Sequence, residues 1–309
     1  MQIYAPLIFT NSLQKGSYLC GQNQSRHMRF FIHTLCLLCG LFLTCMLSAQ
    51  TPEGHYKIYD TRNGQELDYA TMIQELSVAD AVFFGEEHND SIGHLLEGAV
   101  LKSLYALHKD QLSLSMEMFE TDVQGIMNEY LAGWISEKNF KKESRSWNNY
   151  PDYQPLVNFA KEKGIAVICA NAPARYTNMV TRGTLKALDQ LPKATRKAYL
   201  PPFPIDTLSG AYYDKFLETM GGHTMPNMHI YQSQNLWDAT MAHNILKAMK
   251  HKKVFHLNGR FHSDSYLGTA YRVLQQKKGK VKTISCFSET VYKASEHKGL
   301  ADFVILTQP

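Results

Sequence analysis

From residue 81 onward the apolar positions fall into two recurring patterns. Short β-rich runs at Ala81 to Gly85, Leu112 to Met116, Ile165 to Ala170, Val254 to Leu257, Val281 to Phe287 and Asp302 to Leu306 read as strands. Longer stretches with a helical period lie among them, at Ser91 to His108, Pro155 to Lys163, Ala174 to Leu188 and Tyr231 to Met249. Strand runs that alternate with helices in this way predict an α/β fold, a largely parallel central sheet with helices on both faces. The helix from Ser91 has a cap in Asn89, Asp90 or Ser91, and Ile92, Leu95, Leu96, Ala99, Val100, Ser103 and Leu104 form the stripe expected to pack on the sheet.

Two stretches break the alternation. Residues 190–230 hold Pro192, Pro201, Pro202, Pro204, Pro226 and the pair Gly221-Gly222 among aromatic and methionine residues, too long for an ordinary connection. They predict a helical lid insertion over the sheet edge, the alternative being a packed excursion without a ligand. At the other break, Met28-Arg29 leads into an apolar run from Phe30 to Leu47 that ends in Leu47-Ser48-Ala49, the order of a secretory signal peptide. Residues 1–27 are then an extension ahead of the true start at Met28, residues 28–49 the signal peptide, and residues 50–309 one domain. A membrane anchor is the competing reading, but His33 and several cysteines interrupt the run. The expected location is periplasmic or at the outer membrane or cell surface. A lipid anchor at Cys45 is disfavoured because Leu43-Thr44 offers no small residue directly before it.

Removing the leader takes away Lys15, Arg26 and Arg29 and no acid, so the formal charge of +4 falls to +1. A near-neutral chain of mixed charge is no candidate for binding nucleic acid. Of the six cysteines only Cys169 and Cys286 then remain. Each sits in an apolar strand run and reads as a buried free thiol, with a disulfide open only if those strands adjoin.

Chemistry gathers where strands end. The run 81–85 breaks into Glu86-Glu87-His88-Asn89-Asp90 before a capped helix, at the carboxyl end of a parallel strand, where open α/β sheets bind ligands. The grammar recurs at Gly259-Arg260-Phe261-His262, so glycine, two residues and histidine follow two separate strands. Glu117 follows the strand ending at Met116, and a carboxylate there is costly unless paired or liganded. Glu86, His88, Glu117 and His262 are therefore expected to meet, either holding a divalent metal ion or positioning a proton-transferring histidine. A purely structural cluster that caps helices is the competing reading. Glu87, Asp90 and Glu120 read as solvated or capping acids, Asn171 and Arg175 as anion contacts to the same crevice, and His94, His108, His243, His251 and His297 receive no role.

Phe83-Phe-Gly-Glu-Glu-His88, Ser115-Met-Glu-Met-Phe119, Asn171-Ala172-Pro173 with Arg175, the segment Gln232 to Ala242 and Gly259-Arg-Phe-His262 together resemble the ChaN-like haem-binding family, in order and spacing over nearly all of residues 50–309. That family is similar to a wider group with the Tiki metalloproteases, TraB proteins and erythromycin esterases. The resemblance implies an exported haem-binding protein of iron or haem acquisition or storage, with haem as ligand, and brings in a homodimer and outer-membrane haem-uptake machinery as further expected partners. Under that reading Tyr212, Tyr213, His223, Met228, His229 and Tyr231 are the candidate haem-binding residues, in competition with a packed helical core, and Arg175, Arg182 and Lys215 candidate propionate contacts. The alternative is a metal-dependent or histidine-based hydrolase. There His88 or His262 activates water, Glu86 and Glu117 serve as acid, base or ligand, and Arg175 stabilises developing charge. A surface interaction module that keeps the cluster only as structure is the third reading.

Overall fold

Eight strands form one sheet: β1 (Tyr56–Asp60), β2 (Gln65–Leu67), β3 (Ala81–Glu86), β4 (Leu112–Glu120), β5 (Ala166–Asn171), β6 (Lys253–Gly259), β7 (Val281–Phe287) and β8 (Phe303–Thr307). Their spatial order is β2-β1-β8-β7-β3-β6-β4-β5. This computed structural model describes residues 51–223, 225, 228–276 and 279–308, so the expected extension, signal peptide and Cys45 lie outside the described residues. The six strands anticipated from apolar runs are all parallel to their neighbours among themselves, whereas β1 pairs antiparallel with β8 and β2. The β1–β2 hairpin has no counterpart in the sequence reading because, as an edge, it buries only Ile58 and Asp60 and so carries no apolar run.

The helices of the described residues are α1 (Tyr69–Ser77), α2 (Ser91–His108), α3 (Gln124–Leu131), α4 (Glu137–Glu143), α5 (Tyr150–Lys163), α6 (Ala174–Gly183), α7 (Lys193–Tyr199), α8 (Ala211–Thr219), α9 (Ile230–Ala248), α10 (Gly268–Leu274) and the single turn α11 (Ala294–His297). None is long and apolar enough to cross a membrane. Period-two alternation sorts them onto two faces. Ala81 and Phe83 of β3 pack with Ala242 and Ile245 of α9 and Ala270 and Val273 of α10. Glu86, on the alternate set of β3 positions, turns instead to α2 and α5, where His94 and Tyr153 meet it.

Several elements differ from expectation for local reasons. Helix α5 starts at Tyr150 rather than Pro155, since Pro151 suits a first turn, where no intrahelical donor is needed. The helix expected over Ala174 to Leu188 ends at Gly183, where Thr184 takes φ +65° and the chain tightens into a 3₁₀ segment, Leu185–Gln190. Helix α2 has the expected span and is capped by Asp90, whose side chain accepts the Ile92 amide. Leu96, Ala99, Val100, Ser103 and Leu104 of the expected stripe are buried, whereas Leu95 is 57% exposed and the buried face also takes in His94 and Glu97. Cys169 and Cys286 are free and buried, on β5 and β7, which are not neighbours.

The connection from β5 to β6 carries α6, α7, α8 and α9 and returns the chain from the sheet edge to its middle. Residues 190–230 lie within it and are part helical, through α7 and α8. The return puts β6 between β3 and β4, so three chemistry-bearing strand ends stand side by side.

Candidate functional site

Gly259, the last residue of β6, is the centre of the arrangement. On one side it is in register with Glu86 of β3. On the other, the regular β4–β6 ladder stops at Met116 and Leu257, and Glu117 Oε2 accepts the Gly259 amide at 2.8 Å in place of a ladder bond. A Cβ on residue 259 would stand 3.1 Å from His88 Nε2 and 3.9 Å from Glu117 Oε2, so the glycine is what lets the imidazole lie over the strand end. Around it opens a cleft of about 570 Å³ lined by the β3 and β6 ends, including Glu86, His88, Glu117, Arg260 and His262. The two glycine-x-x-histidine turns thus follow adjacent parallel strands and line one cleft.

Two hydrogen-bonded halves meet there. In the first, Glu86 Oε1 bonds His88 Nδ1 at 2.6 Å and accepts the Tyr153 hydroxyl at 2.6 Å. The bond from Glu86 raises the His88 pKa above its ordinary value against the opposing effect of burial. Burial works to raise Glu86, but His88, Glu97 and Tyr153 outweigh it and hold Glu86 below the usual carboxylate range. With its Nδ1 engaged and its side chain 44% exposed, His88 offers Nε2 to the cleft.

The second half is deeper. His262 is flanked by Glu117 Oε1, 3.3 Å from Nε2, and by Asp238 Oδ1, 2.7 Å from Nδ1. Asp238, fully buried on α9, also accepts from the hydroxyls of Thr269 and Tyr212. Burial alone would depress His262, yet Glu117 and Asp238 hold its pKa up at about 10. Burial would likewise raise Glu117, but His262, the Gly259 amide and His88 hold it down at about 2. The unit is an imidazolium between two carboxylates. A histidine with both nitrogens donating has no lone pair for a metal or for general-base work, so among the expected pair His88 is the one with a nitrogen free.

The four expected residues share one cleft, but their donor atoms do not fall within one coordination sphere. Among the described residues the buried set that does is Glu86, His94 and Glu97. Arg175 is not among the residues lining the cleft. Its guanidinium pairs with Asp122 and stacks on Tyr176, 4.4 Å from the ring centroid. Asn171 caps its own strand end by accepting the Ala172 amide.

The candidate haem-binding residues divide. Tyr212 is buried and donates to Asp238, which with burial pushes its phenol pKa up and keeps it protonated. Tyr231 donates to the Leu208 carbonyl at 2.6 Å. His223 is exposed after the α8 turn. Tyr213, Met228, His229 and Tyr231 line a second pocket of about 180 Å³, with Phe216, Met220 and Met225. Ring contacts of Tyr212 with Phe261 and Tyr231, at 5.4 and 5.9 Å, join this pocket's wall to the cleft's. Lys215 donates to the Phe261 carbonyl at 3.1 Å, and Arg182 is exposed at the end of α6.

Tyr153 and Glu97 escaped the sequence reading, His94 received no role in it, and Asp238 lay within the segment Gln232 to Ala242 without a role of its own. Gln234 and Asp238, four residues apart on the buried face of α9, and His94 and Glu97, three apart on α2, carry the one available signal: polar residues at helical spacing on a face that packs on a sheet.

Replacing Gly259 with alanine tests the centre of the site. The backbone, at φ −59° and ψ 138°, accepts a side chain, and the Cβ meets only the tip of His88. The expected outcome is a folded protein that loses about 1 kcal/mol or less, with the His88 ring displaced. NMR titration of the histidine Cε1 protons reads this as a fall in the His88 pKa. An unchanged His88 would mean that the ring is not held by the glycine.

Comparison with known proteins adds three findings. The family model described as "Haem-binding uptake, Tiki superfamily, ChaN" matches residues 72–273. A solved structure titled "Cofacial heme binding to ChaN of Campylobacter jejuni" superposes with a TM-score of 0.63 at 14% identity, covering 83% of this chain and 98% of that one. The protein RETICULATA-RELATED 5, chloroplastic, of Arabidopsis thaliana is 26% identical over 102 residues, 32% of this chain, so the chain spans only 14% of that relative.

Proposed function

The chain belongs to the family of haem-binding uptake proteins of the Tiki superfamily, ChaN, and from that premise we propose that it binds ferric haem at the pocket between α8 and the start of α9. The observation that carries the proposal is the donor set there. Tyr213 and His229 line the pocket beside Met220, Met225 and Met228, and neither side chain has a protein hydrogen-bond partner among the described residues. A phenol and an imidazole are the oxygen and nitrogen donors that suit ferric haem, and the half-exposed Tyr213, Met225 and Met228 supply apolar contact for a macrocycle. The pocket is smaller than the roughly 300 Å³ of ordinary small-molecule sites. A porphyrin would therefore rest across its mouth, and the exposed Arg182, next in the chain to Thr181, whose carbonyl accepts the His229 amide, is a candidate cation for a propionate.

Haem titration followed in the visible spectrum tests this. Tyr213→Phe or His229→Ala is expected to shift the Soret band and to weaken binding by about tenfold or more, the loss of one bond worth about 1.4 kcal/mol. Tyr212→Phe and Tyr231→Phe are expected to leave the ligation signature intact, because both hydroxyls serve protein acceptors. Wild-type spectra in both of the first two variants would move the iron ligand elsewhere.

The same reading includes export and a role in haem or iron acquisition or storage, supported by the signal-like order of residues 28–49. N-terminal sequencing of the mature protein is expected to begin at Gln50. Retention of residues 1–27 would overturn that start and cleavage site.

A further inference from the structure

Behind the cleft, on the side of Glu86 turned away from His88, the buried face of α2 brings further donors to the same carboxylate. Glu86 uses Oε1 for His88 and Tyr153, and its Oε2 lies 3.3 Å from His94 Nδ1. Glu97, three residues further along α2 and fully buried, sets its own Oε2 3.3 Å from the same nitrogen. His94 Nε2 lies 3.2 Å from the main-chain carbonyl of His88. A carbonyl can only accept, so Nε2 carries a proton in that contact, and Nδ1, facing two carboxylate oxygens, is the nitrogen a cation would take. This is also the outer contact that orients metal-ligating histidines.

Glu86 Oε2, Glu97 Oε2 and His94 Nδ1 thus meet in one small buried volume, and of these Glu86 Oε2 has no hydrogen-bond partner; the other oxygen of the fully buried Glu97, Oε1, has none either. Buried oxygens assembled in this way are costly without a proton or a cation between them. The spacing fits a cation. Metal–donor bonds of roughly 2.0–2.2 Å at tetrahedral to octahedral angles separate neighbouring donors by about 2.8–3.6 Å; both carboxylate oxygens lie 3.3 Å from His94 Nδ1, and all three donor atoms lie within 4.8 Å of one another. Two carboxylates and a neutral imidazole also balance a divalent ion, which leaves a buried site with no net charge.

We propose that Glu86, His94 and Glu97 bind one first-row divalent cation of the zinc class in a site behind the cleft, distinct from the Glu117–His262 half. Glu86 would then join the two, with Oε2 on the metal and Oε1 holding His88. The proposal does not depend on haem binding, since none of its residues lines the Tyr213 pocket.

The test is the metal content of the full-length mature protein, freed of haem, equilibrated with zinc and passed through a desalting column. Wild type and His88→Ala are expected to retain about one zinc per chain, and Glu97→Gln and His94→Asn less than a tenth of that. No retained zinc in wild type would overturn the site and leave the three groups held together by shared protons. Retention lost in His88→Ala but kept in Glu97→Gln would place the metal in the cleft and also overturn it. Should the two ligand variants fail to fold, X-ray absorption of the zinc-loaded wild type decides. One imidazole with oxygen donors supports the site, and sulfur or two imidazoles overturns it.

Discussion

Replacing Asp238 with alanine is expected to destabilise the protein by about 3–5 kcal/mol, the range for removing one partner from a buried charge pair. For a chain of this size that corresponds to a fall in Tm of roughly 6–20 °C. Asp238 is fully buried and satisfies three groups at once, the imidazolium of His262 and the hydroxyls of Thr269 and Tyr212. Its loss leaves a buried cation with one carboxylate and two buried hydroxyls without acceptors. Space is tight as well: a Cβ on Gly268, at φ +57°, would come within 2.9 Å of Asp238 Oδ1, so the first turn of α10 closes directly on the carboxylate. Asparagine keeps the shape and one acceptor and is expected to lose a smaller part of the stability. Urea unfolding of the two variants beside wild type measures both. An alanine variant within 1 kcal/mol of wild type would mean that His262 does not need its second carboxylate.

Stability is also expected to form a plateau between about pH 4.5 and 6.5 and to fall on either side. The folded state holds the His262 proton more tightly than the unfolded chain does, with a pKa near 10 against an ordinary 6.5. Its contribution is therefore fully present below pH 6.5 and is lost as pH rises toward 10. Glu117 behaves in the opposite sense. Its folded pKa lies near 2 against an ordinary 4.5, so its contribution is present above pH 4.5 and is lost as pH falls toward 2. Each limb amounts to something on the order of a few kcal/mol, because burial opposes both charged forms and offsets part of the attraction. Urea midpoints at pH 3, 5.5 and 9 trace the profile, and His262→Gln is expected to flatten the alkaline limb. An alkaline limb of full height in that variant would assign it to other groups.

Both predictions rest on residues that a sequence reads unequally. Glu86 and Glu117 were legible because each follows an apolar strand run directly, and His88 and His262 because each stands three residues past the glycine that ends such a run; a polar residue at the end of a buried parallel strand has few places to go except the crevice. The six parallel strands and the span of α2 were legible for a related reason: burial on two faces and a period of 3.6 leave marks in every residue of an element. The edge hairpin leaves no such mark, since one buried apolar position is too few to form a pattern.

The roles within the site were decided only by tertiary structure. Asp238, Tyr153 and Glu97 stand 24, 67 and 11 positions from the residues they serve, His262, Glu86 and Glu86. Helix rotation, which side-chain packing sets, brings them there. On α2 most of the sequence stripe is buried as expected, but packing leaves Leu95 exposed and adds His94 and Glu97 to the buried face. Tyr212 and Tyr213 are adjacent in sequence, yet the turn of α8 sends one to Asp238 and the other to a half-exposed pocket. The sequence by itself determined the fold class and the strand ends that carry the chemistry, because periodicity and strand-end polarity are local properties. Which carboxylate meets which imidazole, which nitrogens are engaged, and which tyrosine retains a free hydroxyl followed from the return of the chain to β6 and from helix rotation against the sheet, which depend on contacts far apart in the sequence.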